Sequence, residues 1–448
     1  MVNTFPKFSA VALVRGTLAF LAFVSIAGFS PRVAGQNFVL ASSPSIDGYQ
    51  WMITGDFNGD GKPDFVTLSF GNPSYVDVET NNGDGSGNFS LGARFTVGSY
   101  AQSVTAADVN GDHSLDLITQ NELANEVLVF TNHGNATFGP ATIIPVGADP
   151  RSVVATNFGR GFVDMVVANY AAHSLSLFTN DGTGQFASNV TYNLSGSPQT
   201  VIAADVNGDS KPDLVVAVQS YVGVTILTND GAGGFAFSAT YNLGQVFPME
   251  VAAADLNGDH KLDIVALDFT GSVFVLTNSG AGQFAVEPAY SAPNNTAFTL
   301  LDVNNDGVAD IVFSAYTATN LGTLTNNGAG IFAPGPNISI PSTGGFVVSD
   351  DVNTDGRLDL IAGLQSYHAA VLINTIVIPP PTLEIRATTT NSAILTWALS
   401  ATNYMLQQNT NLTATNWNDV ADPVDSSSGT NQVVVPLQSR GVFYRLVK

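Results

Sequence analysis

Short apolar runs separated by polar, glycine-rich turns recur along most of the chain. A representative segment has apolar runs at Thr200–Ala204, Leu214–Val218 and Val224–Thr228, and a further run follows Phe235. Runs of this length bounded by Gly, Asn and Asp predict β-strands, and no segment has the spacing of an amphipathic helix. The pattern therefore predicts an all-β chain with four strands in each repeated segment.

One polar motif, Asp-x-Asn-x-Asp-x-x-x-Asp, returns between the first two runs of each segment. Six copies place Asp, Asn, Asp and Asp at positions 1, 3, 5 and 9 of a nine-residue loop, called here the Asp loop. The six sets are Asp56, Asn58, Asp60 and Asp64; Asp108, Asn110, Asp112 and Asp116; Asp205, Asn207, Asp209 and Asp213; Asp255, Asn257, Asp259 and Asp263; Asp302, Asn304, Asp306 and Asp310; Asp351, Asn353, Asp355 and Asp359. A broken copy begins at Asn157, between the second and third sets.

The spacing of the seven copies predicts the architecture. They begin at residues 56, 108, 157, 205, 255, 302 and 351, so the period is 47 to 52 residues. Four strands in a repeat of this length are the composition of a propeller blade. Only two runs follow the seventh loop, and the segment Gln36–Leu40 would supply the missing fourth strand. We therefore expect a seven-bladed β-propeller closed by an N-terminal strand, with an open β-solenoid as the alternative.

These repeats resemble the FG-GAP or VCBS repeats of bacterial surface proteins, which are similar to the propeller of integrin α-subunits. The resemblance extends over residues 36 to about 374. Members of the family are mostly adhesion and binding scaffolds, and a minority are attached to enzymes. The resemblance therefore implies the fold and a metal more directly than it implies a function.

The Asp loops have the donor set that calcium prefers. Calcium takes six to eight hard oxygen ligands, and positions 1, 3, 5 and 9 offer four side-chain donors, with a backbone carbonyl at position 7. Gly at positions 4 and 6 allows positive φ. His113 and His260 occupy position 6, where we expect the side chain to face solvent. We predict about six structural Ca²⁺ ions; magnesium and metal-free Asp/Asn/Gly turns are the alternatives.

The charge of the chain agrees with bound cations and excludes several partners. The formal net charge is −22, and six loops with three Asp each hold half of the 36 acidic residues. Three carboxylates around one turn repel each other without a cation. The acidic balance argues against nucleic acid and against electrostatic docking on an anionic membrane. There is no cysteine, so disulfides and thiol catalysis are excluded.

The third copy departs from the motif. It is one residue shorter, and Arg160 replaces the central Asp. We hypothesise that Arg160 replaces the ion by pairing with Asp164; simple loss of the site, with Arg160 in solvent, is the alternative.

Aromatic residues recur in most blades at the end opposite the Asp loops. The loops between the second and third strands carry an aromatic residue in six of seven blades, and the second blade has Asn121 and Glu122 instead. The six are Tyr75, Tyr170, Tyr221, Phe269, Tyr316 and Tyr367. Exposed aromatic rings suit stacking on sugars or protein hot spots, and packing between blades is the alternative.

The function predicted from these features is a binding or adhesion scaffold for an extracellular glycan or protein. The alternatives are a propeller-type polysaccharide lyase or hydrolase, in which His173 and His368 would meet across the channel, and a structural surface-layer component. We expect a monomer.

The ends of the chain predict export and a second domain. Residues 1–35 have a charged start, the apolar run Gly16–Phe29 and small residues before Gly35, which is the form of a signal peptide. Cleavage after Gly35 is preferred, cleavage after Ala27 and an uncleaved anchor are alternatives, and the mature protein is expected to be secreted or at the cell surface, without membrane insertion. The propeller is assigned to residues 36–375, a Pro-rich linker to 376–382, and a fibronectin-III or immunoglobulin-like sandwich, with Trp397 and Trp417 in its core, to 383–448.

Overall fold

The computed structural model describes residues 11–14, 37–48, 50–220, 223–244, 246–292, 295–376, 383–387, 392–398, 405–409, 418–420, 424, 430–436 and 442–447. In these ranges the regular elements are β-strands. None of the described residues belongs to a helix long and apolar enough to span a bilayer. The chain divides into two compact units, Ala34–Ile376 and the combination of Met1–Val33 with Val377–Lys448.

The larger unit consists of seven antiparallel sheets, in which consecutive strands are neighbours. The first strands are Trp51–Gly55, Val104–Ala107, Pro150–Thr156, Pro198–Ala204, Pro248–Ala254, Asn295–Leu301 and Gly344–Asp350. The second strands are Asp64–Leu68, Asp116–Asn121, Asp164–Asn169, Asp213–Val218, Asp263–Asp268, Asp310–Ala315 and Asp359–Leu364. The third strands are Tyr75–Asn81, Glu126–Phe130, Ser174–Asn180, Gly223–Asn229, Ser272–Gly280, Asn320–Asn326 and His368–Asn374.

The fourth strands form the outer edges of the blades. They are Phe89–Thr96, Thr142–Pro145, Phe186–Asn193, Phe235–Tyr241, Gln283–Val286 and Phe332–Pro334, with Tyr290–Ser291 and Ile338–Ser339 as additional short strands in blades 5 and 6. The fourth strand of blade 7 comes from the N-terminal side of the propeller, as Phe38–Ser42, which pairs antiparallel with His368–Asn374.

The seven sheets close into a ring. The first strand of each blade packs against the first strand of the next, and that of blade 7 packs against that of blade 1. Closure by an N-terminal strand removes the open end that a linear stack would have. The prediction of a seven-bladed propeller is confirmed, and the open solenoid is wrong.

The core lies in the seams between blades. Second strands are buried on both faces because each blade packs between two neighbours. In blade 4, Leu214 and Val216 join the hydrophobic cluster shared with blade 3, whereas Val215 and Ala217 join the cluster shared with blade 5. Successive side chains of a strand point to opposite faces, so one apolar run fills two seams.

The seam between blades 7 and 1 contains buried charge. Asp77 and Glu79 alternate with apolar Val76 and Val78 on the third strand of blade 1, and both acidic side chains are buried. Arg94 neutralises Asp77 through bonds of 2.6 and 2.8 Å. Burial raises the pKa of Glu79 most, and the negative charge of Asp77 raises it further, to about 7. The positive charge of Arg94 acts in the opposite direction.

Glu79→Gln is expected to stabilise the propeller at alkaline pH and leave it unchanged at acidic pH. The pKa of Glu79 in the folded state, about 7, lies above its ordinary value of 4.5. The carboxyl therefore contributes its full stability below pH 4.5 and loses it as pH rises through 7, by about 3 kcal/mol. Urea unfolding at about pH 4 and about pH 8 measures the difference. The half-exposed Glu126 supplies the control, since Glu126→Gln should alter neither value; equal effects of Glu79→Gln at both pH values would contradict the assignment.

The smaller unit contains two sheets in its described residues. One joins Val11–Val14, Val442–Val447, Met405–Asn409 and Asn418–Asp419, and the other joins Glu384–Ala387, Ser392–Ala398 and Thr430–Pro436. Trp397 is buried as expected, and Trp417 lies outside the described residues. The assignment to a fibronectin-III or immunoglobulin-like sandwich stays a prediction.

Candidate metal centres and the opposite face

Each intact Asp loop connects the first strand of a blade to the second and is organised by its own carboxylates. In blade 1, Asp56 Oδ1 accepts the N–H groups of Gly59 and Asp60 at 2.7 and 3.2 Å, and its Oδ2 accepts that of Gly61 at 2.8 Å. Asn58 Oδ1 accepts the N–H of Asp60 at 2.9 Å. The same pattern around positions 1 and 3 recurs in the other intact loops.

The backbone winds tightly around the centre of each loop. Gly59 and Gly61, at positions 4 and 6 of blade 1, have φ of 77° and 79°. Positions 4 and 6 keep positive φ even where they are not Gly, as at His113 and His260, with φ of 71° and 64°. Both His side chains are at least 96% exposed, which confirms that they face solvent. Non-Gly residues held at positive φ indicate a loop conformation imposed by its surroundings.

The Asp that ends each loop, at position 9 of the six intact copies and at Asp164 in blade 3, opens the second strand and is buried. In blade 1, Asp64 Oδ2 accepts the N–H of Phe57 at 2.9 Å and Oδ1 that of Asn81 at 2.7 Å. Burial, the largest cause, and the carboxylates at positions 5 and 1 raise the pKa of Asp64 to about 6, against the lowering effect of these backbone bonds. The same shift to about 6 occurs in Asp310 and Asp359.

The donor chemistry of the loops fits a hard divalent cation. Carboxylates at positions 1, 5 and 9, an amide oxygen at position 3 and a carbonyl at position 7 surround one turn and supply oxygen only. Burial, and to a smaller extent the neighbouring carboxylates of Asp60 and Asp56, raise the pKa of Asp64, and a bound cation would offset both effects by stabilising the ionised carboxylate. In the described part of the chain, however, no three acidic or His side chains converge closely enough to form a metal cage. The acidic groups instead accept hydrogen bonds from the backbone of the loop.

The broken loop of blade 3 contains an ion pair. Arg160 Nη1 lies 3.0 Å from Asp164 Oδ1. Asn157 Oδ1 accepts the N–H groups of Gly159 and Gly161, both at 2.9 Å, and so keeps the turn without an acid at position 1. The hypothesised pairing of Arg160 with Asp164 is therefore observed, and the alternative with Arg160 free in solvent is wrong.

Sequence reasoning missed an Asn at the end of each third strand. In blade 3, the N–H of Asn180 donates to Asp164 Oδ1 at 2.7 Å. Its Nδ2 donates to the carbonyls of Val163, in its own loop, at 3.0 Å and of Val109, at position 2 of the preceding blade's Asp loop, at 2.7 Å. This side chain, called here the Asn clamp, connects the loop of its own blade to the loop of the preceding blade in six of the seven blades. The clamps that cross to the preceding blade are Asn81, Asn132, Asn180, Asn229, Asn278 and Asn326.

Blade 7 uses a different residue for this contact. Asn374 Nδ2 donates only to the carbonyl of Leu358, in its own loop, at 3.2 Å among the described residues. The carbonyl of Val303 in blade 6 accepts a hydrogen bond from Asn37 Nδ2 instead, at 3.3 Å. Asn37 precedes the closing strand, and its carbonyl accepts the N–H of Thr375 at 2.6 Å. The closing segment therefore supplies both the missing strand and the missing clamp.

The predicted aromatic residues fall into two groups. Phe269, Tyr316 and Tyr367, in the consecutive blades 5 to 7, are 68%, 42% and 58% exposed. Tyr75 is half-buried at the start of a third strand, and Tyr170 is half-buried with the Arg151 guanidinium 3.6 Å from its ring centroid. Tyr221 lies outside the described residues. The exposure of the first group favours a role in ligand binding, whereas the contact of Tyr170 with Arg151 favours a role in packing.

The two His residues considered for catalysis do not form a pair in the structure. His368 Nδ1 lies 2.8 Å from the carbonyl of Ser366, and its Nε2 lies 3.4 Å from Ser45 Oγ. His173 is exposed in a turn of blade 3. The geometry therefore adds no support to an enzyme that uses these two groups together.

Comparison with known proteins identifies the repeats. Residues 56–119, 158–216, 205–266 and 255–313 match the FG-GAP-like repeat family. No curated protein sequence matches the chain.

Solved structures share the architecture at low sequence identity. BBS1N, in its complex with ARL6DN soaked with lead, aligns with a TM-score of 0.58 at 9% identity, over 77% of this chain and 99% of that one. A lectin from Agrocybe aegerita that recognises non-reducing terminal N-acetylglucosamine aligns with a TM-score of 0.46 at 22% identity, over 66% of this chain and 81% of that one. The first likeness shows the fold alone, and the second is too weak to bear on the ligand of this chain.

Proposed function

Because the chain is built from FG-GAP-like repeats folded as a seven-bladed β-propeller, we propose that it is an exported, calcium-stabilised binding scaffold. Its ligand, a glycan or a protein, binds the face opposite the Asp loops. The observation that carries the proposal is the exposure of Phe269, Tyr316 and Tyr367 in three consecutive blades of that face.

The two faces of the propeller have different properties. On one face the acidic side chains are committed to backbone bonds within the loops, and the Asn clamps connect those loops to one another. On the other face, large aromatic rings meet solvent at the ends of the second strands. Rings of this size stabilise complexes by stacking and by apolar burial, and aromatic residues dominate binding hot spots. Ligand binding therefore belongs to the aromatic face and structural stability to the Asp-loop face.

In this proposal, export brings the chain to a compartment where calcium is concentrated enough to fill its sites. Extracellular calcium-binding modules work with dissociation constants of about 10⁻⁴ to 10⁻³ M, which calcium outside the cell saturates. The signal-like pattern of residues 1–35 would direct the chain there. Asp56, Asn58, Asp60 and Asp64, with the carbonyl of Lys62, would hold the ion in blade 1, and the equivalent residues in the other intact loops.

A glycan and extracellular-protein array tests the binding function. We expect the purified chain in millimolar calcium to retain at least one ligand, and Phe269→Ala to weaken that binding at least about tenfold, because hot-spot aromatic residues contribute about 2 kcal/mol or more. Phe237→Ala is the matched control, since Phe237 is 65% exposed on the fourth strand of blade 4, outside this face. Retention of no ligand, or equal losses in both variants, would contradict the proposal.

A further inference from the structure

The first strands of blades 3 to 7 share a register shift at the end opposite the Asp loops, and those of blades 3 and 4 bring two polar side chains together. The pairing shifts between Pro150 and Ser152 in blade 3, and between Pro198 and Thr200 in blade 4. Arg151 and Gln199 are the extra residues and have no partner in the ladder. Bulges re-aim side chains and are frequent beside functional sites. Because first strands line the channel of the ring, these two residues lie at its mouth.

Arg151 is held by groups from both blades. The Asp149 carboxylate accepts hydrogen bonds from Arg151 Nε and Nη2 at 3.0 and 3.1 Å. Gln199 Oε1 accepts a hydrogen bond from Arg151 Nη1 at 3.0 Å. The guanidinium lies over the ring of Tyr170, 3.6 Å from the centroid. The bidentate carboxylate cancels the charge of the guanidinium and fixes its plane.

Gln219 completes this group, which we call the Arg151 cluster: Asp149, Arg151, Tyr170, Gln199 and Gln219. Gln219 Oε1 accepts the hydroxyl of Tyr170 at 3.0 Å, and its Nε2 lies 3.4 Å from Gln199 Oε1. Gln199 Nε2 makes no hydrogen bond to any residue that the structure describes. The members are half-buried, so their positions are fixed while their polar edges still reach solvent.

The same chemistry recurs across the channel mouth. Tyr316 Oη donates to Gln50 Oε1 at 3.1 Å, linking blade 6 to blade 1. Gln365 of blade 7 donates to the carbonyl of Tyr316 at 2.8 Å. Carboxamides and phenols therefore surround the opening from several blades.

We propose that the Arg151 cluster is a subsite for a neutral saccharide, which rests on the binding function proposed above. A carboxamide donates and accepts hydrogen bonds in one plane, as paired sugar hydroxyls require. The only full charges of the cluster, on Arg151 and Asp149, compensate each other, so the site offers no unpaired charge to an acidic or basic ligand. Stacked and hydrogen-bonded side chains are already ordered before the ligand arrives, which lowers the entropic cost of binding.

Calorimetric titration of the full chain in millimolar calcium tests this inference. The probes are neutral trisaccharides of glucose, xylose and mannose, with trigalacturonic acid as the charged probe. We expect at least one neutral trisaccharide to bind and trigalacturonic acid not to bind. Gln199→Glu should weaken the neutral ligand at least tenfold, because it replaces an amide donor with a charged acceptor, and Gln219→Glu should act in the same direction.

Gln185→Glu is the matched control. Gln185 is exposed in the turn between the third and fourth strands of blade 3, on the Asp-loop face, so the same chemical change there should leave the affinity unchanged. Melting temperatures equal to that of the unsubstituted chain establish that the variants fold.

The outcomes separate this inference from the proposed function. Binding of trigalacturonic acid alone, or a neutral ligand that Gln199→Glu does not affect, would overturn the inference. Failure of every trisaccharide, while a ligand sensitive to Phe269→Ala is retained on the array, would overturn the inference and leave the binding function intact. Failure of both experiments would overturn both.

Discussion

In millimolar calcium the propeller is expected to melt about 10 °C higher than in excess EGTA. At a calcium concentration about ten times its dissociation constant, each site adds about 1.4 kcal/mol to the free energy of unfolding, and six sites add about 8 kcal/mol. For a domain of this size, 1 kcal/mol shifts the melting temperature by about 1–2 °C. Calorimetric scans with calcium, with EGTA, and with EGTA plus magnesium measure the effect. Magnesium should restore little of it, and identical scans in calcium and EGTA would rule out a structural ion.

The number of bound ions tests the broken loop. Elemental analysis after dialysis should give six calcium ions per chain, because Arg160 already pairs with Asp164 at the centre of the blade 3 loop. Asp209→Ala, at position 5 of blade 4, should reduce the count to five. Asp181→Ala removes an acid from the turn between the third and fourth strands of blade 3 and should leave the count at six. Seven ions in the unsubstituted chain would refute ion replacement by Arg160.

Acidity should weaken the calcium effect. Without an ion, the pKa values of Asp64, Asp310 and Asp359 are raised to about 6 in the folded chain, against 3.8 ordinarily. Protons bound to these carboxyls stabilise the calcium-free fold below pH 3.8, and this contribution is lost as pH rises through 6. Calcium competes with those protons. The difference between the calcium and EGTA melting temperatures should therefore be largest above pH 6 and shrink below it.

The fold could be predicted from the repeats because each repeat is identified by short motifs of residues that are close together in the sequence. Asp at positions 1, 5 and 9 of a short loop defines the hairpin between the first two strands of a blade, and the apolar run after Asp213 identifies a strand buried on both faces. Seven such units, with one strand missing at the C-terminal end and one extra strand at the N-terminal end, leave a closed ring as the solution that uses every strand. The seven copies of the loop gave the blade count without any knowledge of contacts, and their interval of 47 to 52 residues identified each repeat as a blade.

Contacts between blades were predicted less well because they join residues far apart in the chain. Asn180 contacts Val109, a residue 71 positions earlier, and a polar residue before a Gly turn looks like ordinary turn composition. The missed signal was periodic: Thr-Asn ends six third-strand segments, from Thr80-Asn81 to Thr325-Asn326, in step with the Asp loops. Similarly, one loop position gave an exposed Phe269 in blade 5 and a half-buried Tyr170 in blade 3. That difference depends on Arg151, whose position the aromatic pattern does not encode.

The Asn clamps stabilise the ring in addition to any bound ions. The N–H of Asn180 donates to Asp164, the last acid of its own loop, while its Nδ2 donates to the carbonyl at position 2 of the preceding loop. In the intact loops of blades 1, 2, 4, 5 and 6, the N–H at position 2 in turn binds the position 9 Asp of that loop. Buried hydrogen bonds therefore run between neighbouring loops, and they stabilise the ring whether or not an ion is present.

Asn180→Ala is accordingly expected to destabilise the propeller by about 3 kcal/mol. The substitution leaves the carbonyls of Val109 and Val163 without their side-chain donor, and each buried group left unsatisfied costs about 1–3 kcal/mol. Asn180→Asp keeps the shape of the side chain but places a carboxylate oxygen, which cannot donate, against both carbonyls. At pH 7 it should therefore lower the free energy of unfolding by at least as much as Asn180→Ala. Urea unfolding in excess EGTA measures the effect without a contribution from calcium.

Two further substitutions locate the source of this stability. Asn189 is exposed on the fourth strand of the same blade, and Asn189→Ala should change the free energy of unfolding by less than about 0.5 kcal/mol. Asn37 makes the equivalent bond to Val303 at 3.3 Å from an exposed position, so Asn37→Ala should cost about 1 kcal/mol. A loss of stability that is equal for Asn180→Ala and Asn189→Ala would mean that the bond between blades carries no stability. The ordering Asn180, Asn37, Asn189 follows from burial, because a donor removed beside water is replaced by water and a donor removed inside the seam is not.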